Sequence, residues 1–372
     1  MYKNDKRLVA TLDAGGTNFV FSAMRGCEFI IPPITTPSNS HDLDLCLETM
    51  TEGFKSVISQ LPEKPAAISF AFPGPADYRA GIIGGYLPNF PSFREGVALG
   101  PFLENVFQLP VFINNDGDLF AYGEATIGVL PALNIRLNEL GHPKHLHNLL
   151  GVTFGTGLGI GSVINNQLNL GNNSCIEAFC LRNINSPNLI AEEGASIRAA
   201  QREYSRLAND CGQYSPYEIF QIAEGSMPGN QEAARKSFEL FGEVAGDVIA
   251  TAMTLTDSLV VLGGGVTGAM EYIKPGLLRV LRSSLETASG EKVSRVQSRV
   301  FDLDNELEFA KFVIGDPVNI RVPGTDREVV YDSMKRTGII VSKLGAPKAI
   351  SAGAYSYALA QLDEQEEKLE FA

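Results

Sequence analysis

Asp13 ends an apolar run, Leu8-Val9-Ala10-Thr11-Leu12, and leads at once into Ala14-Gly15-Gly16-Thr17-Asn18 before a second apolar run opens at Phe19. The pattern predicts two antiparallel strands joined by a tight turn. Gly15 and Gly16 permit close approach of a ligand, and Thr17 and Asn18 add polar groups at the tip. Successive backbone N–H groups in such a turn form a concavity for an anion. A carboxylate beside a phosphate cradle is repelled unless a cation lies between them, so the expected occupant is a magnesium–nucleotide phosphate. Taken alone, the same residues also describe an ordinary hairpin.

The design recurs. Leu149-Leu150-Gly151-Val152-Thr153-Phe154 runs into Gly155-Thr156-Gly157 and resumes as Leu158-Gly159-Ile160-Gly161-Ser162-Val163-Ile164. Two copies of strand, glycine–threonine turn and strand suggest an internal duplication, each half offering a phosphate loop to a shared cleft. A third feature is Asn115-Asp116, at the end of the apolar run Leu109-Pro110-Val111-Phe112-Ile113-Asn114 and before a helix. A carboxylate held there could act as a general base toward a hydroxyl attacking phosphorus. On spacing alone a helix N-cap aspartate is the favoured reading. Asp118 reads as a first-turn helix charge.

These groups need a scaffold, and the chain can supply one. Its 372 residues are enough for two or three domains, and 44% hydrophobic against 20% charged residues is a globular composition. A net charge of −13 argues against a nucleic-acid surface and against an anionic membrane. Five cysteines without a CxxC pair read as reduced thiols. With neither a signal peptide nor a membrane span legible, a cytoplasmic protein is expected.

Along the chain, residues 27–31 read as a third strand. Ser38-Asn39-Ser40 offer N-caps for a helix running to about Leu61, and Ala66 to Phe72 reads as a strand closed by Pro73-Gly74-Pro75. A helix is expected from Gly100-Pro101. Residues 129–148 fit no regular element; His142, His145 and His147 lie there, and a solvated loop outweighs a metal site. Further on, a long helix is expected over 233–256, a strand over 257–262 and a glycine turn over 263–268. Pro275 is read as the start of a helix striped by Leu277, Leu278, Leu281 and Leu285. Residues 288–345 read as a mixed insertion with strand-like pieces at 296–301 and 338–341. A helix over about 350–362 precedes an acidic tail expected to fray.

Asp13 to Thr17, Asn115-Asp116, Gly155 to Gly157 and Gly263-Gly264-Gly265 together resemble, in order and over nearly the whole chain, the actin-like sugar-kinase superfamily and within it the ROK family of sugar kinases and repressors. The resemblance implies an α/β fold of two actin-like (ribonuclease H-like) domains with a central cleft. The division it suggests is 1–116 and 117–349, with insertions at about 129–148 and 288–345 and the C-terminal helix packing back on the first domain. It reverses the odds at Asp116, which becomes the catalytic base. It makes Asp13 the residue that orients Mg2+, through water. Gly15, Gly16, Thr17, Asn18, Gly155, Thr156 and Gly157 become phosphate-loop positions, and Gly263, Gly264 and Gly265 the adenosine-binding edge.

For the sugar, the resemblance points to Asn89 in Pro88-Asn89-Phe90-Pro91, to Gly74 and Asn115, to Glu177 in Cys175-Ile176-Glu177-Ala178-Phe179-Cys180, and to Glu192 in Ala191-Glu192-Glu193-Gly194-Ala195-Ser196, with Glu193 as the alternative. Cys180 stands where the family keeps a histidine that touches the sugar. The family's zinc loop is missing between Glu177 and Glu192, and Cys175 and Cys180 cannot make a tetrahedral site, so structural zinc is not expected.

A rival reading comes from 263–268, which satisfies GxGxxG after a strand. Glu286 has the spacing of the acidic partner of a dinucleotide fold, but is expected at the end of a helix rather than a second strand. No GxxxxGK[ST] occurs. The expectation is a kinase moving the γ-phosphoryl of MgATP to a hexose, at the 6-hydroxyl of glucose or a relative. A sugar-sensing ROK regulator and a non-catalytic sugar binder are the alternatives. A regulator needs a helix-turn-helix ahead of the first strand, where only about seven residues stand. Association as a homodimer is left open.

Overall fold

The computed structural model describes residues 2–142 and 144–370. The chain forms two compact units, one of residues 1–131, 161–176 and 343–372, the other of 132–160 and 177–342. This division differs from the expected boundary after Asp116, because the helix that Asp116 opens packs within the first unit.

In the first unit the apolar runs become β1 (Val9–Ala14), β2 (Asn18–Arg25), β3 (Glu28–Phe29), β4 (Ile34–Pro37), β5 (Ala67–Ala71), the short pair β6 (Ala76–Asp77) and β7 (Ile82–Ile83), and β8 (Val111–Asn114). The helices are α1 (Leu43–Ser59), α2 (Leu99–Phe107) and α3 (Asp116–Thr126). The sheet runs β3-β2-β1-β5-β8, with β4 also pairing β2. Strands β1, β5 and β8 are parallel, and Asp13 pairs in register with Ala71, which in turn pairs with Asn114. One sheet edge therefore receives Asp13, the chain leading to Gly74, and Asn115-Asp116.

The expected third strand shrinks to two residues because Cys27 adopts a positive φ of 68°. The N-cap of α1 is Asp42, whose side chain accepts from the Leu45 N–H, so Ser38 and Ser40 are not caps.

In the second unit, α4 (Val129–Glu139) begins at the boundary and replaces the irregular stretch expected there. Leu130, Leu133 and Leu137 are buried, a helical spacing diluted by polar neighbours. Then come β9 (Leu149–Phe154), β10 (Leu158–Ile164), β11 (Gln167–Leu168), α5 (Ile197–Ala208), α6 (Pro216–Glu224), α7 (Gln231–Thr256), β12 (Leu259–Gly263) and α8 (Met270–Leu281). They are followed by β13 (Ser284–Glu286), β14 (Lys292–Ser294), β15 (Arg299–Asp302), α9 (Glu306–Ile314), β16 (Pro317–Arg321), β17 (Glu328–Asp332), β18 (Arg336–Val341) and α10 (Ala346–Glu370). Strand β10 starts in the second unit, and its residues from Gly161 on belong to the first, as do β11 and α10.

Strands β9, β12, β18 and β15 lie side by side and parallel. Residues 288–345 are thus only partly an insertion: β15 and β18 are sheet strands, while the hairpins β13–β14 and β16–β17 stand apart as two-stranded sheets. Helix α8 begins at Met270 and carries Pro275 inside it. Burial of Met270 and Ile273 in the core extends it upstream of the proline, and Leu285 falls in β13, exposed. The acidic tail continues α10 as helix to Glu370.

In the first unit α10 crosses α3 closely. A Cβ on Gly123 would lie 2.0 Å from the Ala349 carbonyl, and one on Gly353 1.9 Å from that of Leu119. Only glycine admits that approach, which fixes α3 and hence its first residue, Asp116.

Candidate active site

The β1–β2 turn is closed by the Gly15 N–H donating to the Asn18 carbonyl at 3.0 Å. Its other side is held by side chains the sequence reading assigned elsewhere. The Gly16 carbonyl accepts from the hydroxyls of Ser38 at 2.5 Å and Ser40 at 3.0 Å, and the Ser38 N–H donates to the Thr17 carbonyl at 2.9 Å. Both serines are buried. With its carbonyls anchored inward, the turn presents exposed Thr17 and Asn18 side chains outward.

Asn89 lies directly on this turn, since a Cβ on Gly16 would come within 2.8 Å of the Asn89 Cβ. The loop is fixed by Phe90, fully buried, 4.6 Å from Phe72 and stacked on Phe19 at 6.1 Å. A sugar-site candidate and a phosphate-loop candidate are thus neighbours.

Asn115 is the N-cap of α3, and Asp116 is its first helical residue. The Gly117 N–H donates to Asn115 Oδ1 and to Asp116 Oδ1, both at 2.8 Å, leaving Asp116 Oδ2 outside that bond. The Asn115 amide reaches the Tyr78 hydroxyl at 3.5 Å, and that hydroxyl donates to the Phe72 carbonyl at 2.9 Å. A Cβ on Gly74 would meet the same hydroxyl at 2.9 Å. Tyr78 therefore ties Gly74 and Asn115 together, a role that had no motif to announce it. Asp118 lies in the first turn of α3, as expected, and is buried there.

The Asp13 and Asp116 side chains both touch solvent, yet each is surrounded by enough protein to lose much of the water that stabilises a charge. Burial pushes both carboxyls above their usual range. At Asp116 the Gly117 N–H opposes that rise, and the negative charge of Asp13 adds to it. Asp13 disfavours the charge on Asp116, and a divalent cation between these carboxyls and the 15–18 turn would offset that charge. Mg2+ takes one or two carboxylates and completes its shell with water and phosphate oxygens, so Asp13 acting through water could hold it while Asp116 stays outside the shell. Among the described residues no group of three or more His, Cys, Asp or Glu could hold a metal ion.

In the second unit the Gly155 N–H donates to the Gly157 carbonyl at 3.0 Å, closing the second turn. Glu192 is bound to it: its Oε2 accepts the Leu158 N–H at 3.1 Å and its Oε1 accepts Arg198 at 2.8 Å. Glu193 pairs with Arg202 at 2.6 Å. Glu177 is half-buried, and its carbonyl lies 3.8 Å from the Cys180 sulfur. Gly263 ends β12, Gly264 follows at φ 96° packed on Phe154, and Gly265 opens a 3₁₀ turn within the glycine-rich stretch.

Glu286 lies in β13, which pairs with β14 alone, and not at the end of a helix. It is still not the second sheet strand of a dinucleotide site. The histidines do not converge. His142 stacks on Phe312 at 6.1 Å and meets Arg336 at 3.0 Å, and burial pushes its pKa down, while the rings of His145 and His147 are 4.9 Å apart.

Comparison with known proteins follows the same lines. The model of the ROK family matches residues 9–176. A glucokinase structure from Parabacteroides distasonis is 55% identical, covering 97% of this chain and 99% of that one at a TM-score of 0.89. A ROK family glucokinase from Streptomyces griseus, solved with glucose and AMPPNP, shares the fold at 18% identity, covering 93% and 98% of the two chains at a TM-score of 0.60. The xylose repressor of Bacillus spizizenii is 27% identical over 285 residues, and that match spans 74% of this chain and 65% of the repressor. Among the described residues no helix is long and apolar enough to cross a membrane. The chain belongs to the ROK family and has its two-domain, actin-like α/β fold.

Proposed function

We propose that this protein is an ATP-dependent hexose kinase. The observation that carries the reading is Asp116, a carboxylate fixed at the first turn of α3, kept basic by burial and by Asp13, at the sheet edge that also holds the 15–18 turn and Asn89. A base of raised pKa accepts a hydroxyl proton more readily than an ordinary aspartate. In the proposed reaction the sugar hydroxyl proton passes to Asp116 as its oxygen bonds to the γ-phosphorus, the bond to the bridging oxygen breaks, and ADP leaves. Asp13 would hold Mg2+ through water; when bound, the ion neutralises charge on the transferring phosphoryl group. The two turns would cradle phosphates, with Gly263, Gly264 and Gly265 at the adenosine. Asn89, Gly74, Asn115, Glu177 and Glu192 would grip the hexose, at the outset the 6-hydroxyl of glucose or a related sugar. The 55% identical glucokinase supports that choice.

The second reading, a sugar-sensing regulator, is favoured by the similarity to the xylose repressor. A regulator has no use for a proton-accepting carboxylate beside a phosphate turn. A coupled ADP-release screen over glucose, mannose, fructose, N-acetylglucosamine and N-acetylmannosamine decides. Sugar-dependent ADP release supports the kinase, and sugar binding with no release from any of the five refutes it.

A further inference from the structure

A cavity of about 600 Å³ lies wholly inside the second unit, between residues 281 and 335. Four of its lining side chains are cationic: Arg282 at the end of α8, Arg299 at the start of β15, Lys311 in α9 and Lys335 just before β18. Its one acidic lining residue, Glu308, is already engaged, since Oε2 accepts from Arg282 at 2.5 Å and from the Asp302 N–H at 2.7 Å. Nearby cations of the same unit, Lys274, Arg279 and Arg295, are matched to carboxylates. Arg299, Lys311 and Lys335 are not: among the described residues no carboxylate lies within ion-pair distance of any of them. The backbone draws two of them together, because the Arg299 N–H donates to the Lys335 carbonyl at 2.8 Å where β15 and β18 begin side by side.

Like charges gathered round one concavity repel one another and focus a positive field into it, although the chain's net charge of −13 leaves an excess of carboxylates that could have matched them. A bound anion relieves that repulsion, and arginine and lysine are the side chains that hold phosphate. The cavity also has an apolar lining in the buried Leu281, Val296 and Phe301. Its volume falls in the range of small-molecule pockets, larger than a bare ion requires. It is separate from the candidate nucleotide residues. Leu262 pairs with Val341, so Gly263 follows at the C-terminal edge of the sheet, whereas Arg299 and Lys335 stand where their strands begin. The length of β18, roughly 17 Å, separates the two edges.

We propose that this cavity is a second ligand site, for a small organic phosphate ester: Arg299, Lys311 and Lys335 hold its phosphate dianion, and the apolar lining takes its carbon frame. The proposal does not depend on the kinase reading, because none of these residues belongs to the candidate active site.

The test is calorimetry on the full chain with ribose 5-phosphate, 3-phosphoglycerate and inorganic phosphate as separate probes. Wild type is compared with the double variant Lys311→Gln/Lys335→Gln and with Arg299→Glu, all at exposed positions whose change leaves the core intact. At least one ester is expected to bind wild type with a Kd of about 1 mM or tighter, and more tightly than inorganic phosphate. Either variant should weaken that ester at least tenfold while changing glucose affinity less than twofold. Raising salt to about 1 M, where screening acts within roughly 3 Å, should weaken it in wild type as well. No binding of either ester to wild type, or equal ester binding in wild type and both variants, would overturn the proposal. Inorganic phosphate bound as tightly as both esters would overturn the assignment to an ester. If wild type fails to bind glucose, it is the kinase reading that fails, and the ester titrations still decide this one.

Discussion

Replacing Asp116 with asparagine isolates the proton acceptor from its geometry. Asp116 Oδ1 accepts the Gly117 N–H at 2.8 Å, and an asparagine oxygen can accept the same bond. The cap from Asn115 to Gly117, also 2.8 Å, is untouched. The first turn of α3 should therefore persist, and the sugar pocket with it. What disappears is the base, typically worth 10²–10⁴-fold, or about 3–5 kcal/mol of barrier. Stability should move the other way. Asp116 has a folded pKa above its unfolded one, so the folded protein holds that proton to higher pH. The stability this contributes is complete below the ordinary aspartate range and is lost as pH rises through the raised value. Above it the wild type carries a poorly solvated charge that the amide does not. The variant should therefore melt at or above wild type at pH 8, and the advantage should vanish near pH 3. The same titration predicts that wild-type kcat/KM falls on acidification through a pKa above that of an ordinary aspartate. The measurements are kcat by coupled ADP release, glucose affinity by calorimetry and Tm across pH. Turnover within threefold of wild type, or an equal loss of kcat and glucose affinity, refutes the base assignment.

Asp13→Asn should weaken productive Mg2+ use, and raising Mg2+ should restore part of the rate; a defect indifferent to Mg2+ would give Asp13 another role. Glu177→Gln should raise the sugar KM about ten- to a hundredfold, the roughly 1–3 kcal/mol of a buried polar group left unpaired, while the ATP KM changes much less; equal rises in both would remove Glu177 from the sugar site. Protein purified without chelator or polyhistidine tag should contain far less than one zinc per chain by elemental analysis. One zinc per chain would mean that the cysteines or histidines recruit a site from other residues.

The elements carrying chemistry were legible because their glycines sit between apolar runs, and the strands at 9–14, 18–25, 149–154 and 259–263 appear where those runs stand. What escaped was set by partners distant in sequence. Ser38 and Ser40 look like helix caps locally, and only the folded chain brings their hydroxyls to the Gly16 carbonyl. The strand-like pieces at 296–301 and 338–341 do become β15 and β18, but a helix and an exposed hairpin separate them, which hid that the two pair side by side in the sheet. Leu285 continues the leucine spacing of α8, but the helix ends at Leu281 and the residue turns into a hairpin.

Glu192 gives the sharpest form of the problem. Its carboxylate and its position were readable. A lone carboxylate, however, fits a sugar hydroxyl, a backbone N–H or an arginine equally well. Local sequence cannot choose among them, and the Leu158 N–H that Glu192 meets in the folded chain lies 34 residues away. Residue type gives the chemistry a side chain can perform, and the tertiary fold decides on which partner it performs it.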